Sequence, residues 1–256
     1  MERLIDLRGK NAIVTGGSRG VGRSVARQLA RAGANVGIGY HSRSDDAASV
    51  VAECREIGVQ AWAQSGDLAD PSEAERLFER GDVEFEGLDI FVGNHGIWPP
   101  QDQPIGELSY DRWHRTIDAN LNSIFYTCRA AASRLNDHGR IVLVSSTAAQ
   151  RGEAFHGDYA ASKGAMISLV KGLCIEVAPR GITVNAVAPG WIDTDLTRQA
   201  RIDLPELNEK VLSRTPAGRW GKADDHKGVA VFLASAASDF VSGASLPVDG
   251  AFAISG

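Results

Sequence analysis

The alternation of two kinds of segment along the 256 residues constrains the fold most. Short runs rich in β-branched and other apolar residues predict strands, and longer stretches between them predict helices. Most of the short runs are apolar on both faces, as expected of strands buried between two helical layers. The predicted strands are Asn11–Thr15, Asn35–Tyr40, Gln60–Gln64, Leu88–Gly93, Arg140–Ser145, Thr183–Val187 and Ser245–Val248.

The predicted helices occupy the intervals between these strands. Asp70 and Pro71 form a typical start, because aspartate caps free backbone N–H groups and proline fits the first helical position. An apolar residue recurs at every fourth position from Ala161 to Val177, which predicts one continuous helix there. The predicted helices are Gly20–Arg31, Asp45–Ile57, Pro71–Glu79, Tyr110–Leu135, Tyr159–Ala178 and Ala223–Ser235.

The alternation as a whole predicts an α/β fold. We expect a doubly wound, Rossmann-type parallel sheet of about seven strands with helices on both faces. A chain of this length fits one such layer structure, so we expect a single domain over residues 1–256. The polar stretch 193–219 is long and contains Pro205 and Pro216. We expect it to cover the substrate as a lid.

Charge and composition exclude several classes of protein. The 27 basic and 32 acidic residues give a net charge of −5, which is not the charge of a nucleic-acid or anionic-membrane binder. No apolar run approaches the ~20 residues of a membrane span. Three dispersed cysteines, Cys54, Cys128 and Cys174, indicate reduced thiols and a cytoplasmic protein. The six histidines are scattered, so we expect no catalytic metal.

Unusual residues follow the predicted strands at their carboxyl ends. In an open α/β sheet this edge is where ligands bind. The edge therefore predicts a ligand site rather than a set of ordinary loops. The residues that follow the first six strands are Gly16, Arg43, Asp67, Asn94, Ser146 and Pro189–Gly190.

The loop after the first strand, TGGSRGVG at positions 15–22, is rich in glycine. Glycines allow a tight turn and let backbone N–H groups approach a pyrophosphate at the start of a helix. The spacing differs from the Gly-x-Gly-x-x-Gly of the common dinucleotide fingerprint, and a plain glycine turn is the alternative. Its place after the first strand favours phosphate binding by Gly16, Ser18, Arg19, Gly20, Val21 and Gly22.

The end of the second strand predicts which cofactor binds. An NAD site places an acid about 20 residues after the glycines, whereas an NADP site offers arginine. Here the strand continues into His41, Ser42 and Arg43, with no acid before Asp45. Together with Arg19, these residues favour NADP(H), with NAD(H) as the alternative.

Tyr159 and Lys163 are four residues apart and so share one face of a helix. A lysine charge ~4 Å from the phenol supplies ~4 kcal/mol at an effective dielectric of 20. That energy would lower a tyrosine pKa by about 3 units, to near neutrality. Ser146, at the end of the fifth strand, could bond a substrate carbonyl, whereas Ser145 would face the backbone. Asn120 lies within a predicted helix, where asparagine is unfavourable, which suggests a functional role.

With these residues placed, the sequence resembles the short-chain dehydrogenase/reductase family, and most closely its bacterial 3-oxoacyl-[acyl-carrier-protein] reductases. The resemblance extends from Asp6 to Phe252. The motifs that carry it are TGGSRGVG (15–22), GDL (66–68), NHG (94–96), NLN (120–122), IVLVSS (141–146), YAASK (159–163) and VAPGWIDTD (187–195).

The resemblance implies a catalytic tetrad of Asn120, Ser146, Tyr159 and Lys163, with Tyr159 and Lys163 also contacting the cofactor. It implies a homotetramer and further cofactor contacts. Asp67 and Leu68 would frame the adenine. The other implied cofactor contacts are Asn94, Gly96, Pro189, Gly190, Ile192 and Thr194.

Two positions depart from the family pattern. His95 stands where the family usually has alanine, and we expect a titratable ring near the cofactor. Two arginines of the 3-oxoacyl reductases contact the acidic carrier protein. Arg180 matches one, but Asp137 stands in place of the other, which argues against an acyl-carrier-protein partner.

These features predict an NADP(H)-dependent ketoreductase. The leading prediction for its small carbonyl substrate is a 3-oxoacyl thioester. The alternatives are an NAD(P)-dependent dehydrogenase of a sugar, steroid or other small alcohol, and a non-catalytic nucleotide-sensing protein. His156 is either a residue that faces the substrate or a solvated loop residue.

Overall fold

A seven-stranded parallel sheet runs through the middle of the protein in the computed structural model, which describes residues 5–255. The strands are β1 Asn11–Thr15, β2 Asn35–Tyr40, β3 Ala61–Ser65, β4 Leu88–Gly93, β5 Leu135–Val144, β6 Thr183–Pro189, β7 Ile192–Asp193, β8 Gly221–Lys222 and β9 Ser245–Val248. The strand order in the large sheet is β3-β2-β1-β4-β5-β6-β9. The order reverses between β1 and β4, which opens a crevice at the carboxyl ends of these two strands.

Helices cover both faces of the sheet, and each face has its own apolar core. Val25 and Leu29 pack with Val14 on one face, and Phe78 and Ile124 pack with Phe91 on the other. The α/β fold predicted from the alternation is thereby confirmed. The helices are α1 Gly20–Arg31, α2 Ser44–Glu56, α3 Pro71–Glu84, α4 Tyr110–Ile117, α5 Ser123–Arg134, α6 Ala148–Arg151, α7 Gly157–Val177, α8 Asp195–Asp203, α9 Pro205–Arg214 and α10 Lys227–Leu233.

Most predicted elements recur with bounds that differ by a few residues. The start of α3 is as predicted, because Asp70 Oδ1 accepts a bond from the Ser72 backbone at 2.8 Å. The predicted helix 110–135 is not continuous: a π-helical turn, Asp118–Asn122, separates α4 from α5. Strand β5 begins earlier than predicted, since Leu135 pairs with Leu88 before the register shifts.

The segment 193–219 folds into α8 and α9 beside a small two-stranded sheet of β7 and β8. Thr194 begins α8 with a capping box that it shares with Thr197. Trp191 contacts Trp220 edge to face, with ring centroids 5.7 Å apart. Within residues 5–255, no helix combines the length and apolarity needed to cross a bilayer.

Candidate active site

A cavity of about 540 Å³ lies along the carboxyl ends of the central strands. All the residues that the sequence predicted for cofactor binding line it, except Gly22. Among the predicted catalytic residues, Ser146, Tyr159 and Lys163 line it as well, while Asn120 lies behind them. Nowhere in the described part of the chain do three His, Cys, Asp or Glu side chains form a group suited to a metal ion.

The glycine loop has a shape that side chains would block. Gly16 and Gly20 have φ angles of +62° and +56°, in the left-handed region that favours glycine. A Cβ atom on Gly22 would lie 2.2 Å from the Gly16 carbonyl oxygen, so this glycine allows the helix to pack on the loop. Asn94 Nδ2 donates to the Thr15 and Gly16 carbonyls at 3.2 and 3.1 Å. The loop is therefore held open next to the cavity and fits a dinucleotide phosphate.

Two arginines, Arg43 and Arg19, lie at the end of the cavity next to β2. Arg43 and Ser42 are exposed at the start of α2, and both line the cavity. Arg19, in the glycine loop, is 3.9 Å from Asp195 of α8 and keeps 44% of its side chain exposed. These guanidiniums can reach a phosphate beside β2, so the donor set fits the 2′-phosphate of NADP.

His95 is held between β1 and α5. Its Nδ1 is 2.7 Å from Thr15 Oγ1, and its Nε2 is 2.8 Å from Ser123 Oγ. Ser123 Oγ donates to the Ala119 carbonyl, so Nε2 carries the proton and donates to Ser123. Burial, and then repulsion by Lys163, lowers the pKa of His95 to about 3. The ring thus lies beside the cavity as expected, and it is neutral at pH 7.

Tyr159 and Lys163 lie on the first turns of α7 and face the cavity. Lys163 Nζ donates to the Val144 carbonyl at 2.9 Å and lies 6.0 Å from the centre of the Tyr159 ring. Burial lowers the pKa of Lys163 to about 8. Burial raises the pKa of Tyr159 to about 12, although a hydrogen bond with Ser146 acts in the opposite direction. The lowering of the tyrosine pKa that the spacing to Lys163 predicted is absent here, because burial dominates and Lys163 is not among the groups that shift this pKa.

The two serines at the end of β5 have different partners. Ser146 Oγ accepts a bond from the Ala148 backbone at 3.1 Å and bonds the Tyr159 hydroxyl. Ser145 Oγ donates to the Lys163 carbonyl at 3.0 Å. The prediction that Ser145 bonds the backbone is thereby confirmed, and Ser146 is the serine that faces the tyrosine.

Asn120 is fully buried in the π-helical turn between α4 and α5. Its Oδ1 accepts from the Ile97 backbone at 2.7 Å, and its Nδ2 donates to the Ile97 carbonyl at 2.9 Å and to Ser162 Oγ at 3.2 Å. Ser162 Oγ in turn donates to the Tyr159 carbonyl at 2.7 Å. Asn120 thus connects the loop after β4 to the turn of α7 that carries Tyr159. Single π turns of this kind are frequent at functional sites.

Sequence reasoning missed a pair of charged residues beside Tyr159. Arg151 ends α6, Glu153 follows it, and both line the cavity together with Trp98 and Trp191. Glu153 Oε1 accepts from Trp98 Nε1 at 3.0 Å, and Glu153 Oε2 is 3.4 Å from Arg151 Nη2. Their position a few residues after Ser146 was the available signal, because that loop begins at the ligand-binding edge.

His156 is neither a solvated loop residue nor part of the cavity lining. It is buried, it stacks on Trp98 with ring centroids 4.8 Å apart, and its Nε2 is 2.9 Å from the Pro99 carbonyl. The ring therefore supports the wall that carries Trp98. Both sequence interpretations of this histidine were wrong, because the loops after β4 and β5 pack on each other.

The two positions compared with carrier-protein contacts form an ion pair with each other. Arg180 Nε donates to Asp137 Oδ1 at 3.0 Å, and Nη1 donates to the Ala132 carbonyl at 2.7 Å. The Arg180 guanidinium is thus already partnered rather than free to bind an acidic surface.

Comparisons with known proteins agree with this geometry. A family model described as enoyl-(acyl carrier protein) reductase matches residues 16–252. The chain is 41% identical to an L-rhamnose 1-dehydrogenase (NAD(P)(+)) of Azotobacter vinelandii, over 96% of each chain. It is 36% identical to a 3-oxoacyl-[acyl-carrier-protein] reductase of Staphylococcus aureus, over 94% of this chain and 97% of that one.

A solved structure agrees as well. The crystal structure of a short-chain dehydrogenase from Burkholderia cenocepacia in complex with NADP superposes with a TM-score of 0.88. That protein is 38% identical, and the match covers 95% of this chain and 98% of that one. The fold, the glycine loop and the serine, tyrosine and lysine at one cavity accompany a match over nearly the whole sequence, and the chain belongs to the short-chain dehydrogenase/reductase family.

Proposed function

We propose that the protein is an NADP(H)-dependent oxidoreductase that interconverts a secondary alcohol and a ketone on a small hydroxylated substrate of the sugar class. The observation that carries the substrate class is the pair of Arg151 and Glu153 beside Tyr159. Carboxylate oxygens accept from sugar hydroxyls, and guanidinium N–H groups donate to them. An acyl chain would leave both charged groups buried without such partners, which is costly.

The residues at the β2 end of the cavity support NADP(H) as the cofactor. Arg43 and Arg19 offer cationic partners for a 2′-phosphate, whereas no aspartate or glutamate stands at the end of β2. The related structure with bound NADP supports the same choice. When bound, the nicotinamide supplies or accepts the hydride.

The tetrad performs the proton chemistry in this proposal. In the reductive direction Tyr159 donates its phenolic proton to the carbonyl oxygen, and Ser146 Oγ holds that oxygen by a hydrogen bond. A pKa of about 12 keeps the tyrosine protonated at neutral pH, as a proton donor requires. Alcohol oxidation needs the phenolate instead, so we expect it to be faster at alkaline pH. Lys163 lines the same cavity, where it would contact the bound cofactor, and Asn120 positions the turn of α7.

A 3-oxoacyl thioester is the second candidate substrate. Trp98, Trp191 and Leu196 give the cavity an apolar wall that an acyl chain could contact. The 36% identical protein of Staphylococcus aureus is, by its name, a reductase of 3-oxoacyl substrates. The ion pair of Arg180 with Asp137 argues against a carrier-protein-bound form of this substrate.

The test is a substrate panel assayed by nicotinamide absorbance with each cofactor. The panel contains aldoses, alditols and aldonates in the oxidative direction, and a 3-oxoacyl ester and its thioester in the reductive one. We expect the highest kcat/KM for a hydroxylated substrate with NADP(H). A kcat/KM that is highest for the 3-oxoacyl compounds would reject the sugar class and leave the second candidate.

Arg43→Ala tests the cofactor assignment. We expect the variant to raise the KM for NADPH by about tenfold or more, since an ion pair with a phosphate is lost. The KM for NADH should change little, because NADH has no 2′-phosphate. Equal effects on both cofactors, or a wild-type preference for NADH, would contradict the assignment.

Asp137→Arg tests whether the carrier protein is a partner. The variant removes the carboxylate that Arg180 binds and places a second positive charge at this exposed position. We expect higher kcat/KM for a 3-oxoacyl group attached to acyl carrier protein, most clearly at low salt. Activity on a small free ketone should not change. A wild type that already strongly prefers carrier-bound substrate would contradict this interpretation of the charge.

The remaining expectations about the whole protein stay predictions. They are the cytoplasmic location, the homotetrameric assembly, the single domain over residues 1–256 and the lid function of residues 193–219.

A further inference from the structure

Arg151 has spare hydrogen-bonding capacity inside the cavity. Its Nη1 donates to the Gly152 carbonyl at 2.8 Å, and its Nη2 makes a long contact of 3.4 Å with Glu153. Its Nε is buried and has no hydrogen-bond partner within residues 5–255. A guanidinium carries five N–H donors, and the contacts of Nη1 and Nη2 leave N–H groups on these terminal nitrogens free for a ligand. The Arg151 side chain lines the cavity and is 21% exposed.

The charges around Arg151 do not balance. The guanidiniums of Arg151 and Arg214 both lie 5.0 Å from the centre of the Phe252 ring. Glu153 is the acidic group that contacts Arg151, and one of its oxygens already accepts from Trp98. Burial lowers the pKa of Arg151, Glu153 raises it, and the nearby Arg214 lowers it. Arg151 and Arg214 thus carry two positive charges against the one negative charge of Glu153, and Lys163 adds a further positive charge beside Tyr159.

We propose that Arg151 binds a carboxylate of the substrate, so that the enzyme acts on a hydroxy or oxo acid rather than on a neutral sugar. This inference rests on the proposed function and narrows its substrate class. The surplus of positive charge beside Tyr159 favours an anionic group over a neutral hydroxymethyl group. The planar guanidinium can donate two parallel hydrogen bonds to a carboxylate, and Phe252 limits its rotation.

The position of Arg151 suits this role. Its charge and that of Glu153 act on Tyr159, which places the anchor within the reach of one small substrate whose oxygen bonds the tyrosine. Glu153 would then repel a misplaced carboxylate and accept from a hydroxyl group. The two side chains together distinguish the acid end of the substrate from its hydroxyl groups.

The test uses matched acid and alditol pairs: D-gluconate with D-glucitol, and D-galactonate with galactitol. The members of each pair differ in the carboxylate that replaces one hydroxymethyl group. Oxidation with NADP+ is measured for all four compounds. Binding is measured separately, by quenching of tryptophan fluorescence with the cofactor present, since Trp98 and Trp191 line the cavity.

We expect the wild type to bind the acids at least tenfold more tightly than the alditols, with a preference that declines at high salt. Arg151→Gln should remove most of that preference, because glutamine keeps an N–H donor for hydroxyl groups but has no charge for a carboxylate. A tenfold loss of acid binding corresponds to about 1.4 kcal/mol. Arg31→Gln is the matched control, because Arg31 is exposed in the last turn of α1. Circular dichroism and the melting temperature check that both variants fold.

Equal binding of acids and alditols by the wild type would overturn the carboxylate anchor. An equal loss of affinity for the acids and the alditols in Arg151→Gln would overturn it too, because the arginine would then shape the cavity without distinguishing charged from neutral ligands. A different result would contradict the proposed function itself, namely an enzyme that oxidises none of the hydroxylated compounds but reduces the 3-oxoacyl ester. Even then, preferential quenching by the acids that depends on Arg151 would show the anion site.

Discussion

Replacing Tyr159 by phenylalanine should lower kcat by about 10²–10⁴-fold, the usual contribution of a general acid. The substitution keeps the ring and its packing and removes only the hydroxyl that bonds Ser146. Cofactor affinity, measured by fluorescence titration with NADPH, should change little. The loss should appear in kcat and in kcat/KM alike, since the proton is transferred in the transition state.

Tyr110→Phe is the control for this experiment. Tyr110 begins α4 and is 84% exposed, so removal of its hydroxyl should leave kcat unchanged. If Tyr159→Phe retained most of the activity, the proton would come from another group at the cavity. Ser146 would then be the first residue to test, because it is hydrogen-bonded to the same hydroxyl.

The elements that line the cofactor end of the cavity were predictable because their signals are local. The bounds of β1, β2, β4 and β9 are those predicted, since each is a short apolar run bounded by turn residues. The glycines of the first loop, Arg43 and Asn94 follow these strands directly. Parallel strands end at one edge, so the order of the motifs along the chain was enough to bring these residues to one cavity.

The substrate end could not be predicted in the same way, because its contacts join loops that are distant in sequence. Glu153 meets Trp98, and His156 stacks on the same ring, across more than 50 positions. The prediction of a lowered Tyr159 pKa failed for a related reason. Spacing along a helix indicates how close Lys163 lies but not how deeply the phenol is buried. His95 appeared titratable until its two hydroxyl partners and its desolvation were known.

Asp158→Asn should lower the free energy of unfolding by about 3–5 kcal/mol, because it leaves the Arg112 charge buried without its counterion. Asp158 is fully buried, and Arg112 is 7% exposed. Arg112 Nε donates to Asp158 Oδ2 at 3.0 Å, and Thr116 Oγ1 donates to the same oxygen at 2.8 Å. The ion pair thus fixes α4 to the first turn of α7, next to Tyr159. Chemical denaturation at pH 7 measures the loss.

The pH dependence distinguishes this ion pair from a simple packing effect. Burial by itself raises the pKa of Asp158. The hydrogen bonds from Arg112 and Thr116 lower it by more than burial raises it, so the pKa lies below its usual value. A carboxylate with a lowered folded pKa contributes stability above about pH 4 and loses it as the pH falls through the folded value. The difference in stability between wild type and Asp158→Asn should therefore be full at pH 7 and shrink on acidification below about pH 4.

Asp111→Asn is the control: at an exposed position in the first turn of α4, it should change stability by no more than about 0.5 kcal/mol. A difference between wild type and Asp158→Asn that stays constant down to acid pH would assign the loss to packing and not to the charge of Asp158.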